Sequence, residues 1–215
     1  MATEIKFCGM TRAADAQAGA ALGAEYVGVI FAPGPRRLTT DQAAAVLHDL
    51  SDSTRRVGVF DRADATTVAD IAKRIALSAV QLHGGCDGAT IARLRATFGG
   101  EIWAVVRLAN VEVPASAGVL FEYADAVVLD THVRGKLGGT GVALPWRALA
   151  TKLEPLRGRG AKLVLAGGLR PENVSEAIGL LRPDVVDVSS GVETAPGIKD
   201  HTRMRAFRDA VRAIT

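Results

Sequence analysis

The sequence predicts an α/β fold, a closed (β/α)8 barrel, from three observations. Short apolar runs recur along the chain, and each is followed by a stretch patterned as a helix. Several runs, Tyr26-Val27-Gly28-Val29-Ile30-Phe31 above all, are apolar throughout, as in parallel strands covered on both faces. The carboxyl ends of the runs fall at Cys8, Phe31, Phe60, His83, Arg107, Asp130, Ala166 and Ser189, separated by 23, 29, 23, 24, 23, 36 and 23 residues. That spacing matches one strand plus one helix per unit, and eight such units close into a barrel. No linker or compositional break divides the chain, so residues 1–215 are expected to form one barrel domain.

Ile5 and Phe7 alternate with Lys6 and Cys8 in the first strand, which Gly9 ends; Thr11 is then placed to cap a helix from Arg12 to Gly23. The second strand leads through Pro33-Gly34-Pro35-Arg36-Arg37 to a helix opened by Thr39-Thr40-Asp41-Gln42 and reaching Leu50. Strand 56–60 precedes a helix over 64–76, and strand 79–82 a helix over 87–98. Strand 102–107 is followed by the weakest helix candidate, 108–125, where Val113-Pro114 and a β-branched run disfavour helix. Strand 126–129 ends at Asp130, and a glycine-rich loop over 131–141 accounts for the long separation before a helix over 145–156. Strand 162–166, a helix from Pro171 to Leu181, strand 185–188 and a helix over 201–214 complete the chain.

Composition narrows the partners. Hydrophobic residues make up 48% and charged residues 23% of the chain, which fits a globular protein with a sizeable core. A net charge of +3 is mildly basic, and no basic run or aromatic-interleaved patch suggests nucleic acid. No apolar run approaches ~18 residues and no signal pattern opens the chain, so no membrane is implied and a cytoplasmic protein, monomer or homodimer, is expected. Two cysteines, Cys8 and Cys86, are too few for a disulfide framework. CxxC, HxH and HExxH spacings are absent, so no metal is expected.

Closure of a barrel carries every strand end to one rim, where this fold does its chemistry. Glycine-rich turns follow three late strands: Gly138-Gly139-Thr140-Gly141, Gly167-Gly168 and Ser189-Ser190-Gly191. Free backbone N–H groups and hydroxyls there make an anion site, and loops after strands seven and eight commonly hold phosphate. Glycines that merely permit tight turns are the plainer reading, which the placement at adjacent strands outweighs. Cys8 is either a small buried hydrophobe or, at a strand's carboxyl end, a base or nucleophile whose pKa falls from about 8.5 toward neutrality. Asp130, ending an apolar strand, is either an acceptor for loop amides or an acid with a raised pKa. Of Arg36 and Arg37, one is suited to clamp a carboxylate bidentately and the other is plain surface charge. His83, a lone histidine, is more often a satisfied structural group than a catalyst. Cys86 is incidental.

Taken together, these residues resemble a family. Lys6-Phe7-Cys8-Gly9-Met10-Thr11, Gly34-Pro35-Arg36, Val57-Gly58-Val59-Phe60, Gln81-Leu82-His83-Gly84, Leu129-Asp130 and Gly138-Gly139-Thr140-Gly141 are similar, in order, to motifs of the phosphoribosylanthranilate isomerases. So are the segment from Ala166 to Val174, the segment from Asp187 to Glu193, and Pro196-Gly197-Ile198-Lys199-Asp200. Phe7 departs from the smaller aliphatic usual there. The resemblance implies a cofactor-free Amadori rearrangement of N-(5-phosphoribosyl)anthranilate, with no metal. It puts the general base on Cys8, the general acid on Asp130 and the anthranilate-binding arginine on Arg36. His83, Gly139, Thr140, Gly141, Gly167, Gly168, Ser190 and Gly191 complete the candidate substrate-binding set. A histidine-pathway aminoimidazole isomerase or a dual-specificity barrel is the nearest alternative, but such enzymes carry aspartate where Cys8 stands. A non-catalytic barrel that binds a phosphorylated metabolite needs no acid–base pair.

Overall fold

In a computed structural model that describes residues 2–108, 111–130, 146–156 and 160–214, eight strands form a closed parallel barrel in sequence order. They are β1 (Glu4–Phe7), β2 (Tyr26–Ile30), β3 (Arg55–Asp61), β4 (Ala79–Gly84), β5 (Glu101–Arg107), β6 (Ala126–Asp130), β7 (Lys162–Ala166) and β8 (Val185–Val188). Closure comes from β1 against β8, in the register Ile5↔Val186, Lys6↔Asp187, Phe7↔Val188.

The helices are α1 (Ala13–Ala21), α2 (Thr40–Leu47), α3 (Ala65–Arg74), α4 (Gly88–Arg95), α5 (Ala117–Tyr123), α6 (Trp146–Leu153), α7 (Val174–Leu181) and α8 (His201–Arg212). Local chemistry starts four of them. Thr39 and Gln42 form a capping box on α2, and Asp64, Asp87 and Asp200 cap α3, α4 and α8. The expected cap at Thr11 does not form. Its hydroxyl donates instead to the Gly197 carbonyl at 2.5 Å, and α1 begins without a side-chain cap. The weak candidate over 108–125 yields only the seven-residue α5. A short hairpin, β9 (Glu193–Ala195) with β10 (Ile198–Lys199), follows β8 and was not visible in the pattern. Among the described residues no helix is long and apolar enough to cross a membrane.

Alternation within each strand divides the core in two. Outward residues such as Ile5, Phe7, Val27, Leu82, Ile102, Leu129 and Val186 pack against the helices. Inward residues Tyr26, Val57, Ala79, Trp103, Ala126, Val128, Val164 and Val185 fill the barrel. At the amino-terminal end this filling is sealed by a polar plug. Arg55 pairs with Glu4 and with Glu101 (3.2 Å), and Lys162 reaches Glu4 (2.9 Å) and the Tyr26 hydroxyl (3.0 Å). The Trp103 indole donates to Glu101 at 2.8 Å, and the Arg55 guanidinium lies 3.9 Å above the Tyr26 ring centroid.

Candidate active site

At the opposite end, the carboxyl ends of the strands surround a cavity of about 290 Å³. Its wall includes Cys8, Arg36, Gln81, His83, Asp130, Gly167, Gly168, Asp187, Ser189 and Ser190. The candidates thus meet in an ordered ring: Asp130 at the end of β6, Gly167-Gly168 after β7, Ser189-Ser190 after β8, Cys8 after β1 and Arg36 after β2. His83, on β4, closes the far side. Arg37 is exposed, while Arg36 lines the cavity. Gly139, Thr140 and Gly141 lie outside the described residues. Gly191 is not in the cavity wall: a Cβ there would collide with the Leu169 carbonyl, so the glycine lets the loops after β7 and β8 touch.

Cys8 follows β1 and is buried, its N–H donating to the Val188 carbonyl at 2.9 Å. Gly9 then turns with φ +72°, and a Cβ on it would lie 2.6 Å from Arg36 Cδ and 2.8 Å from Ser189 Oγ. The glycine after the thiol is therefore what admits Arg36 to the rim. Burial pushes the Cys8 thiol above its ordinary pKa, opposed by the Lys6 and Lys199 ammonium groups. Burial and Arg107 push the His83 imidazole below its ordinary pKa, and its Nδ1 is buried without a hydrogen-bond partner among the described residues. Cys86 is not part of the cavity wall, and burial pushes its thiol up to about 11.

Three groups with no role in the sequence reading support the rim. Glu193 accepts from Arg36 Nε at 2.8 Å and from Nη2 at 2.5 Å, a bidentate pair that fixes the guanidinium plane. The fully buried Lys199 donates to the same carboxylate at 2.8 Å, to the Cys8 carbonyl at 2.6 Å and to the Ser189 carbonyl at 3.2 Å. It ties the ends of β1 and β8 to the hairpin. Lys6, two residues before Cys8 and so on the same inward side of β1, donates to Gln81 at 2.8 Å and Asp187 at 2.6 Å beneath the cavity. Period two already turned Lys6 inward in the sequence. Its partners, 75 and 181 residues away, are set by barrel register and left no local signal. In the loop after β7, Asn173 accepts from the Arg170 N–H at 2.9 Å and donates to the Gly168 carbonyl at 3.1 Å, shaping the glycine turn. Among the described residues no group of three or more His, Cys, Asp or Glu side chains is arranged to hold a metal.

A closed (β/α)8 barrel with a thiol and a carboxyl on the wall of one rim cavity, flanked by glycine turns after β7 and β8, belongs to the class of barrel enzymes that do acid–base chemistry on phosphorylated small molecules. Residues 5–210 match the family model for N-(5'-phosphoribosyl)anthranilate (PRA) isomerase. The N-(5'-phosphoribosyl)anthranilate isomerase of Pseudomonas aeruginosa (strain LESB58) is 40% identical, over 99% of this chain and 96% of that protein. That of Paracoccus denitrificans (strain Pd 1222) is 38% identical, over 96% of each. The crystal structure of phosphoribosyl anthranilate isomerase from Thermotoga maritima superposes with a TM-score of 0.87 at 33% identity, covering 98% of this chain and 99% of that one. A second crystal structure, of the isomerase in complex with reduced 1-(o-carboxyphenylamino)-1-deoxyribulose 5-phosphate, gives a TM-score of 0.84 at 32% identity with the same coverage. The chain belongs to the N-(5'-phosphoribosyl)anthranilate isomerase family.

Proposed function

We propose that this chain converts N-(5-phosphoribosyl)anthranilate to 1-(2-carboxyphenylamino)-1-deoxyribulose 5-phosphate, a step of tryptophan biosynthesis, with Asp130 as general acid and Cys8 as general base. The observation that carries the reading is the shared cavity wall: Asp130 and Cys8 flank the two glycine turns, and Arg36 stands on the other side of Cys8.

The chemistry follows from that order. Protonation of the ribose ring oxygen by Asp130 lets the anilino nitrogen's lone pair expel it, giving an open-chain Schiff base. The cationic imine acidifies the C2 proton. Cys8, as thiolate, removes it, and the electron pair moves to form the enolamine, which tautomerises to the ketone. Positioned acid and base groups typically contribute about 10²–10⁴-fold each. Gly167, Gly168, Ser190 and Gly191, together with Gly139, Thr140 and Gly141, take the phosphate. Arg36, held by Glu193 through Nε and Nη2, keeps Nη1 for the anthranilate carboxylate. His83, whose Nδ1 has no partner among the described residues, contacts the substrate from β4. Anchoring both ends holds C2 between the two groups. The same reading makes the protein a cytoplasmic monomer or homodimer acting without a cofactor.

Freshly formed phosphoribosylanthranilate, mixed with the protein, is expected to lose anthranilate fluorescence far faster than in buffer. A loss at the buffer rate rejects the function.

A further inference from the structure

Resting on the reading of Cys8 as the base, we propose that Lys6 is the positioning residue that makes the thiolate: its ammonium, clamped by Asp187 and Gln81, supplies the remaining N–H to the Cys8 sulfur. Lys6 and Cys8 are two residues apart on β1 and point to the same side. A Cβ on the facing Gly28 would lie 2.9 Å from Cys8 Sγ and 3.2 Å from Lys6 Cε, so the two side chains meet over the bare face of that glycine.

Donor counting then separates the two lysines near the thiol. An ammonium has three N–H groups. Lys199 uses its three on the Cys8 carbonyl, the Ser189 carbonyl and Glu193. Lys6 uses two, on Gln81 and Asp187, and keeps one for the sulfur beside it. Trp103 covers it from below, with its ring centroid 5.6 Å from Nζ.

Stability does not explain the arrangement. Lys6 is 0% exposed, and a buried ion pair is often no better for stability than apolar filling of the same volume. Elsewhere the barrel interior is filled by apolar side chains, among them Val57, Ala79, Val128 and Val164.

The other charges near Cys8 fit. Asp187, on β8, opposes the thiolate, but its Oδ2 is committed to Lys6. Arg36 and Lys199 share one counter-charge in Glu193. Asp130 and His83 stand on the walls of the same cavity, on β6 and β4. Burial raises the thiol, and Lys6 is the strongest influence pulling it back.

The test reads the thiol without relying on turnover. In a Cys86→Ser background, the rate of Cys8 alkylation by iodoacetamide is followed against pH by mass spectrometry, beside the pH profile of kcat/KM. Lys6→Met is expected to move the Cys8 midpoint up by about 1–3 units. Lys6→Met/Asp187→Leu, which leaves no lone buried charge, is expected to move it up by less. Asp187→Asn is expected to move it down. If Lys6→Met does not fold, the other two variants decide. A midpoint unchanged in both overturns the role of Lys6. If the midpoints move as expected while the kcat/KM profile stays put, Lys6 tunes the thiol but Cys8 is not the base, and it is the functional reading that fails.

Discussion

At the amino-terminal end of the barrel, Glu4, Tyr26, Arg55, Glu101 and Lys162 bond to one another and to the Trp103 indole. At the carboxyl end, His83 Nδ1, Asp187 Oδ1 and Ser189 Oγ are buried without a hydrogen-bond partner among the described residues. Both ends carry charge inside a barrel that is otherwise apolar, but only the first closes its hydrogen bonds within the protein. Orphaned buried polar atoms each cost about 1–3 kcal/mol. Their concentration around one cavity marks where a ligand completes the structure. On the proposed function, the contrast separates residues kept for stability from residues kept for chemistry, and it can be broken at either end.

The largest effect belongs to the rim. Asp130→Asn keeps the shape of the side chain but cannot protonate a ring oxygen, so kcat is expected to fall about 10²–10⁴-fold with little change in melting temperature. A modest loss in steady-state turnover makes Asp130 a structural acceptor. Glu193→Gln is expected to raise KM about tenfold, with a smaller change in kcat, because Arg36 loses its bidentate anchor while the acid and base stay in place. Equal loss in kcat alone contradicts the clamp.

At the floor the expectation is reversed. Arg55→Met removes the cation shared by Glu4 and Glu101, leaving them Lys162 and the Trp103 indole, and is expected to lower stability by about 1–3 kcal/mol in denaturant melts, leaving kcat/KM unchanged. An activity loss in the folded variant erases the division between the two ends.

The smallest effect is on acid stability, and both ends share it. Burial alone would raise Glu4 and Glu193, but Lys162 and Arg55 in the first case, and Arg36 and Lys199 in the second, hold them below the ordinary carboxylate range. Asp15, beneath Arg12 and His201, behaves likewise. A folded value below the unfolded one contributes stability that is fully present above the unfolded value, about 4, and is lost as pH falls through the folded value. Melting temperature is expected to be level from pH 8 to about 5 and to fall below about 4, and Glu4→Gln is expected to flatten part of that fall.

How much of this was written locally in the chain can be told from particular residues. The strand runs were legible because both faces of each strand are buried, so Tyr26–Ile30 and Ala126–Leu129 read as apolar whichever face is inward. The helix starts expected at 64, 87 and 201 fall within a residue of the observed ones, and the caps there, Asp64, Asp87 and Asp200, are contacts over two or three residues. Thr11 misled because a hydroxyl free to cap a helix is equally free to reach Gly197, 186 residues away. The hairpin of Glu193–Ala195 and Ile198–Lys199 is too short to show a period. Cys8, Asp130 and Arg36 stood out as strand-end or loop residues. Their supports, Lys6, Gln81, Glu193 and Lys199, did not, since each acts through a partner that only closure of the barrel brings near.

The central claim is that Cys8 contributes to the reaction and not to holding the ligand. The direct measurement is Cys8→Ala, assayed both for turnover of phosphoribosylanthranilate and, by calorimetry, for binding of reduced 1-(o-carboxyphenylamino)-1-deoxyribulose 5-phosphate. Turnover reduced about 10²–10⁴-fold with affinity retained is the expected result. Turnover near that of the unmodified protein, or affinity lost in step with turnover, contradicts it.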